Sequence, residues 1–327
     1  MDKAFITGIT GQDGSYLADL LLSEGLEVYG LIRRKASASN WRIHHLAGHE
    51  RMHLVNGDLM DVTSLTRSLQ QIRPKYVFNL AAQSFVPFSW EAPEATSGVT
   101  AIGVLNMLEA VRMVDPAIRF YQASSSEMFG KVRETPQKRT TPFYPRSPYG
   151  VSKVYGHWMT INYRESYDMY ACSGILFNHE SERRGLEFVT RKVTWAAANI
   201  KRGKMESVSL GNLDAQRDWG YAPDYVQAMW LMLNREEPRD YVIATGEQSS
   251  VRELCDAAFS AVGLNYEDHV KIDPRFLRPA EVNTLLGDIG EAREQLSWQP
   301  ATSFRDMITK MVEADLHRVD NNITWET

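Results

Sequence analysis

The feature that narrows this chain most stands at its start. Lys3-Ala4-Phe5-Ile6-Thr7, a strand-like run, passes directly into Gly8-Ile9-Thr10-Gly11-Gln12-Asp13-Gly14, and then into Ser15-Tyr16-Leu17-Ala18-Asp19-Leu20-Leu21-Leu22, which is apolar at helical spacing. Glycines in a G-x-x-G-x-x-G pattern between a strand and a helix permit a tight turn. They also let backbone amides approach a pyrophosphate, which the positive end of the helix then favours. A dinucleotide is therefore the expected ligand; a purely structural glycine turn is the alternative.

Strand patterns recur at 27–32, 52–59, 76–82, 119–123 and 171–177, alternating with helical patterns at 64–72 and 103–114 and after Pro148. That alternation predicts an α/β fold, a Rossmann-type doubly wound parallel sheet. At 327 residues the chain exceeds what one core usually holds, so a smaller C-terminal α/β substrate domain is expected. Residues 1–177, with returning segments at about 212–246, form the predicted NADP-binding domain; 178–211 and 247–327 form the predicted nucleotide-sugar domain. Within these, 219–234, 251–262 and 302–317 read as helices and 241–244 as a strand. The second strand ends in Arg33-Arg34, where a protein selecting NAD would place an acidic residue for the ribose 2′-hydroxyl. Arginine there favours a 2′-phosphate, so NADP is the expected cofactor, with a solvated basic turn as the alternative.

A net charge of -5 opposes broad affinity for nucleic acid or anionic membrane, and neither is expected as a partner. No run of about 18 apolar residues is present to span a bilayer. Met1-Asp2-Lys3 leads into a strand rather than a signal peptide, so a cytoplasmic location is expected. Cys172 and Cys255 make no disulfide framework and read as small buried hydrophobes. His44, His45, His49 and His53 lack a companion set of cysteines or carboxylates, so no metal site is expected.

The candidate chemistry lies in Ser124-Ser125-Ser126-Glu127-Met128-Phe129-Gly130, taken with Tyr149-Gly150-Val151-Ser152-Lys153. Tyr149 and Lys153 are one helical turn apart and share a face. The serine-rich stretch follows a buried strand, so its hydroxyls and carboxylate fall at the carboxyl end of the sheet, where ligands bind in open α/β folds. If the stretch stays extended, Ser125 and Glu127 point to one side. A tyrosine serves as a base only if its pKa falls below about 10, which Lys153 and a cationic nicotinamide ring would both promote. The bland alternative is a set of serines that satisfy backbone at a strand end, beside a solvated glutamate.

At these residues the sequence resembles the extended short-chain dehydrogenase/reductase family, and within it the nucleotide-sugar 4,6-dehydratases, along nearly the whole chain. The matching runs are 8–17, 80–84, 141–150, 175–181 with Arg183-Arg184-Gly185, 188–192, 210–214 with Arg217-Asp218-Trp219, and Arg278-Pro279-Ala280-Glu281-Val282. The resemblance implies that Gly8, Thr10, Gly11, Gln12, Asp13, Arg33, Asp58, Leu59, Leu80, Ala81, Ala82, Gln83, Ser84, Tyr149, Lys153, His179 and Arg184 contact NADP. It implies that Asn178, Lys192, Arg217 and Arg278, with Ser84, Ser125 and Glu127, hold a GDP-sugar. GDP-linked mannose is the implied substrate, with a GDP-linked mannoheptose as the alternative; a non-catalytic NADP-binding regulator is a further one.

On that reading Tyr149 takes the C4 hydroxyl proton, Ser125 hydrogen-bonds the C4 oxygen and Glu127 removes the C5 proton before water leaves C6. The departures are Ser125 where the family has threonine, Glu182 where it usually has proline, and Ala95 where some members have tyrosine. The resemblance also implies a homodimer or homotetramer, with residues 34–40 reaching a neighbour's cofactor.

Overall fold

The computed structural model describes residues 1–33, 40–276 and 284–323. Strand β1 (Lys3–Thr7) leads through the glycine turn to helix α1 (Gln12–Ser23) and β2 (Glu27–Ile32); β3 (Met52–Asn56), α2 (Val62–Ile72) and β4 (Tyr76–Asn79) follow. Asp61 starts α2, its carboxylate accepting from Ser64 N at 3.2 Å, which satisfies one of the amides a helix leaves unpaired. Short helices α3 (Phe88–Glu91) and α4 (Pro93–Ser97) run through a single π turn into α5 (Gly103–Val114). β5 (Arg119–Ser125), α6 (Pro148–Tyr167) and β6 (Ala171–Leu176) complete the N-terminal alternation.

After β6 come β7 (Asn178–Glu180), α7 (Val189–Lys201), β8 (Val208–Leu210), β9 (Gln216–Arg217), β10 (Trp219–Tyr221), α8 (Ala222–Leu233) and β11 (Tyr241–Ile243). The chain ends with β12 (Ser249–Ser250), α9 (Val251–Ser260), β13 (Val270–Ile272), α10 (Gly290–Leu296) and α11 (Phe304–Asp320).

The main sheet is parallel, in the order β11-β6-β5-β4-β1-β2-β3. Both faces are covered, and side chains alternate between them as a strand requires. Ala4 and Ile6 of β1 join α1 and α8 on one side, whereas Phe5 joins α2 and α5 on the other. Tyr121 and Phe120 of β5 divide in the same way. Each fully buried phenylalanine stabilises the fold by roughly 1.5–3 kcal/mol. The order in which successive strands are laid down reverses between β1 and β4, which opens a crevice at their carboxyl ends.

A second core gathers Val193, Leu210, Leu254, Phe259, Met307 and Met311 from α7, β8, α9 and α11. Three expectations are corrected at the seam. The helix expected over 219–234 starts at Ala222: Trp219–Tyr221 is a strand pairing with Asn178–Glu180, and Pro223 in the first helical turn fixes where the helix begins. Segment 212–219, expected to return to the first domain, places Leu213, Ala215 and Trp219 in the second core. Ala292, Leu296 and Trp298, expected in the smaller domain, pack instead with α8 and β11, where Trp298 Nε1 donates to Asp224 O at 2.9 Å.

The helical run Pro93–Val114 has the length and apolar content to cross a bilayer, although no unbroken run of 18 apolar residues marks it in the sequence. Here Val104, Met107, Leu108 and Val111 form its buried side, against the sheet and α2.

Candidate active site

A cavity of about 900 Å³ occupies the crevice and extends to the second core. Its floor is the glycine turn. Gly8 has φ +74°, and a Cβ there would stand 2.8 Å from Ala81 N, so only glycine lets the two loops touch. No side chain caps the start of α1, which leaves that helix end for an anion. Thr10, Gly11, Gln12, Asp13, Arg33, Asp58, Leu59, Leu80, Ala81, Ala82 and Ser84 line this half. Gln83 is not part of the lining: its amide donates to Phe85 O at 3.1 Å and its backbone N to Thr100 Oγ1 at 3.1 Å, so it shapes the loop from behind.

The catalytic candidates meet where β5 ends. Ser147 accepts from Gly150 N at 3.0 Å to start α6, Pro148 takes the first helical position, and Tyr149 and Lys153 then face β5. A Cβ on Gly150 would lie 2.9 Å from Glu127 O, so this first turn packs directly on the backbone that carries Glu127. Tyr149, Lys153 and Glu127 are 7%, 5% and 8% exposed, and all line the cavity with Ser125. Ser125 and Glu127 do not lie on one extended stretch as expected, because Ser126–Met128 turns into a 3-10 helix. Ser125 is its cap, accepting from Glu127 N at 3.2 Å.

Lys153 is held by the backbone beside Tyr149. Its Nζ donates to Ala123 O at 2.7 Å and lies 5.6 Å from the centre of the Tyr149 ring. Burial pushes the Tyr149 phenol well above its ordinary range; the hydrogen bond with Ser125 and the charge of Arg184 oppose that rise. With no cofactor bound, burial is the largest of these influences, and Ser125 reaches the phenol more directly than Lys153 does. Burial also brings Lys153 down to about 8.

Behind the corner runs a line of buried polar side chains that the sequence reading missed. Thr7 Oγ1 donates to Asn79 Oδ1 at 2.7 Å, Asn79 Nδ2 to Gln122 Oε1 at 2.8 Å, and Gln122 Nε2 to Ala123 O at 2.9 Å, the carbonyl that also holds Lys153. Thr7 Oγ1 in turn accepts from Leu80 N and Ala81 N, each at 3.1 Å. The signal was present: three polar residues inside otherwise apolar strand runs, which must find partners once buried.

On the opposite wall, His179 Nε2 meets Asp13 Oδ2 at 2.9 Å, and Gln12 Nε2 donates to His179 O at 3.0 Å. Burial alone would raise Asp13, but the charge of His179, its hydrogen bond and that of Gln12 outweigh it and hold the carboxyl at about 2. Arg184 sits 3.6 Å over the Phe188 ring and 3.1 Å from Glu180 Oε2. The 182–184 turn is held by its carbonyls. Arg191 Nη1 donates to Glu182 O and Arg184 O, Arg318 Nη2 to Glu182 O, and Arg42 Nε to Arg183 O, all at 2.6–2.8 Å. Arg191 is fully buried and paired with buried Asp315 of α11 at 2.6 Å.

Toward the second core the lining changes character. Lys192 Nζ donates to Ser209 O at 2.7 Å and stands 3.7 Å over the Phe276 ring; Arg217 Nη1 donates to Gln216 O at 2.7 Å. Beside Arg217, buried Asp218 accepts from Thr245 N, Thr245 Oγ1 and Gly246 N at 2.7–3.0 Å, yet burial still raises it to about 6. The side-chain oxygen of Asn178 is buried without a hydrogen-bond partner. Such an orphan in a ligand cavity marks a place where a ligand donor fits. Arg278 and residues 34–39 lie outside the described residues.

Residues 5–311 match the family model described as GDP-mannose 4,6 dehydratase. The chain belongs to that family. It is 53% identical to GDP-mannose 4,6 dehydratase 1 of Arabidopsis thaliana over 323 residues, which is 96% of this chain and 89% of that protein. It is 46% identical to GDP-mannose 4,6 dehydratase of Homo sapiens over 344 residues, 98% of this chain and 92% of that one. Among solved structures, dTDP-glucose 4,6-dehydratase from Bacillus anthracis in complex with NAD matches with a TM-score of 0.86 at 19% identity, covering 100% and 99% of the two chains, a likeness of fold. UDP-glucose 4-epimerase of Thermus thermophilus in complex with NAD matches at 0.82 and 25% identity, covering 96% and 98%.

Two departures from the pattern of the GDP-mannose 4,6-dehydratase family lie outside the cavity lining: Ala95 is exposed on α4, and the Glu182 carboxylate accepts from Tyr16 Oη at 2.7 Å. Ser125 alone of the three is in the lining.

Proposed function

We propose that the protein converts GDP-mannose to GDP-4-keto-6-deoxymannose, using tightly held NADP, as a hydro-lyase. The observation that carries this reading is the convergence of Tyr149, Ser125 and Glu127 in one cavity whose other end is a glycine turn at an uncapped helix start. NADP would be held by the glycine turn, Asp58, Leu59 and the 80–84 loop, with Arg33 at the 2′-phosphate. When bound, the dinucleotide would supply a hydride acceptor for C4 and the same hydride for C6, with no net consumption.

The chain supplies the proton chemistry. Tyr149 receives the C4 hydroxyl proton as a phenolate, the form that a cationic nicotinamide ring beside it would favour, and Ser125, hydrogen-bonded to Tyr149, donates to the C4 oxygen. The ketone at C4 acidifies the C5 hydrogen. Glu127 removes that proton and delivers it to the C6 hydroxyl, which leaves as water; return of hydride to C6 then requires a proton at C5, and the one taken from the C4 hydroxyl balances it. Lys192 and Arg217, cations at the far end of the cavity, suit the diphosphate, and the unpartnered Asn178 oxygen suits a donor on the ligand.

The domain division follows the same reading: the seven-stranded unit holds the cofactor, and the α7, α9 and α11 unit holds the nucleotide-sugar. A homodimer or homotetramer is supported by exposed Val151, Tyr155 and Trp158, which form one apolar stripe along α6.

Incubation with GDP-mannose and mass analysis tests the function. The expected product has lost one water without net use of NADPH; no product from GDP-mannose overturns the reading, and GDP-mannoheptose in parallel measures the competing substrate. Denaturing the purified protein and identifying the released nucleotide tests NADP against NAD.

A further inference from the structure

His179 is placed so that only its charged form fits. Its Nδ1 is 2.7 Å from Phe177 O, and its Nε2 is 2.9 Å from Asp13 Oδ2. A carbonyl oxygen and a carboxylate oxygen both accept only, so each ring nitrogen has to carry a hydrogen. A neutral imidazole would turn a lone pair toward one of the two oxygens and lose that bond. The ring is fixed between them by stacking on Tyr225, centroids 4.6 Å apart.

The pair sits at a junction. Asp13 is in the first turn of α1, at the helix end where a pyrophosphate would lie, and an unpaired carboxylate there would repel it. His179 is in the middle of β7, across the cavity mouth from the glycine turn. Gln12 strengthens the bridge: its Nε2 donates to Asp13 Oδ1 and to His179 O, each at 3.0 Å, and its Oε1 accepts from Ser181 Oγ at 2.7 Å. The other titratable groups facing the pair are Arg184 on the turn after β7, Arg42, Tyr121 of β5, Tyr225 of α8, and Tyr149 and Lys153 of α6.

We propose that Asp13 and His179 are positioning residues, a protonated clasp that neutralises the acidic side chain at the cofactor turn and ties β7 over the bound dinucleotide. The inference rests on the assignment of this cavity to NADP. It goes beyond that assignment in making retention of the cofactor depend on one proton. Burial would lower His179, but the facing charge of Asp13 and the two hydrogen bonds raise it above its ordinary value. The clasp is therefore complete below about pH 6.5 and is lost as pH rises through the higher folded value.

The test is the dissociation rate of NADPH from the full-length protein, followed by fluorescence with no sugar present, between pH 6 and pH 10. The wild type should release NADPH about tenfold faster above the transition than below it, since one charge-assisted bond contributes about that much. His179→Gln and Asp13→Asn should release it fast at every pH, without the step. A wild-type rate that is flat with pH, or a step that persists in either variant, overturns the clasp. If neither variant folds, the His179 ring-proton titration by NMR replaces them: a midpoint that differs from the release midpoint overturns the proposal. Failure to turn over GDP-mannose would sink the functional reading and leave this measurement intact, whereas a protein that binds no nicotinamide dinucleotide overturns both.

Discussion

The two ends of the cavity are built on opposite plans. At the catalytic end polar side chains are tied to one another before any ligand arrives: Thr7 to Asn79, Asn79 to Gln122, Gln122 and Lys153 to one carbonyl. At the end lined by Lys192 and Arg217 these cations each donate to a backbone carbonyl, and the Asn178 side-chain oxygen is buried without a hydrogen-bond partner. The first plan fixes geometry for bond-making, where misplacement is costly. The second leaves polar groups to be completed by the ligand, which places recognition there rather than chemistry.

Substitutions can break that contrast. Tyr149→Phe should lower kcat by about 10³-fold while bound nucleotide is unchanged, as loss of the acid–base group implies; single-turnover kinetics with GDP-mannose would show it, and retention of even a tenth of the rate would remove Tyr149 from the chemistry. Glu127→Gln should cost about 10²-fold and, more tellingly, should let reduced cofactor accumulate, because oxidation at C4 proceeds and elimination stalls. A variant that eliminates water at full speed refutes the division of labour.

Gln122→Leu leaves the Asn79 amide buried without its acceptor. Thermal unfolding should report a loss of about 1–3 kcal/mol, and a neutral result would mean that the catalytic end is not pre-tied. Lys192→Ala, at the open end, should raise KM about tenfold with kcat nearly kept, since about 1.4 kcal/mol of uniform binding is removed; a matching fall in kcat would erase the distinction between the ends. The smallest effect is expected for Ser125→Thr, within about twofold in kcat, because the hydroxyl is preserved and the added methyl only narrows its rotamers.

The sheet was legible because both its signals are local: apolar runs of strand length, and glycines where backbone meets backbone. Tyr149 and Lys153 were legible for the same reason, one helical turn being a sequence distance. What escaped depended on distant partners. The 3-10 turn that separates Ser125 from Glu127 is set by packing on Gly150, and β10 at Trp219–Tyr221 exists because β7 is there to pair with it. Lys153 was assigned to its helical neighbour Tyr149, whereas its hydrogen bond goes to a carbonyl 30 residues away. Asp13 and His179 were both named as cofactor contacts, but no pattern in the sequence indicates that they meet.

The turn at 182–184 is shaped through its main-chain oxygens, by arginines that come from other elements and one aspartate from the last helix. A loop specified in this way has its backbone path set from outside, so its side chains are left to make contacts of their own, as Glu182 does with Tyr16 and Tyr221. Its residues can drift, as the glutamate in place of the usual proline has done, without disturbing the Arg184 backbone beside the cavity. The same scheme extends the pocket's dependence along the chain: a change at Asp315, remote in sequence, would reach the pocket through Arg191 and the carbonyls it holds.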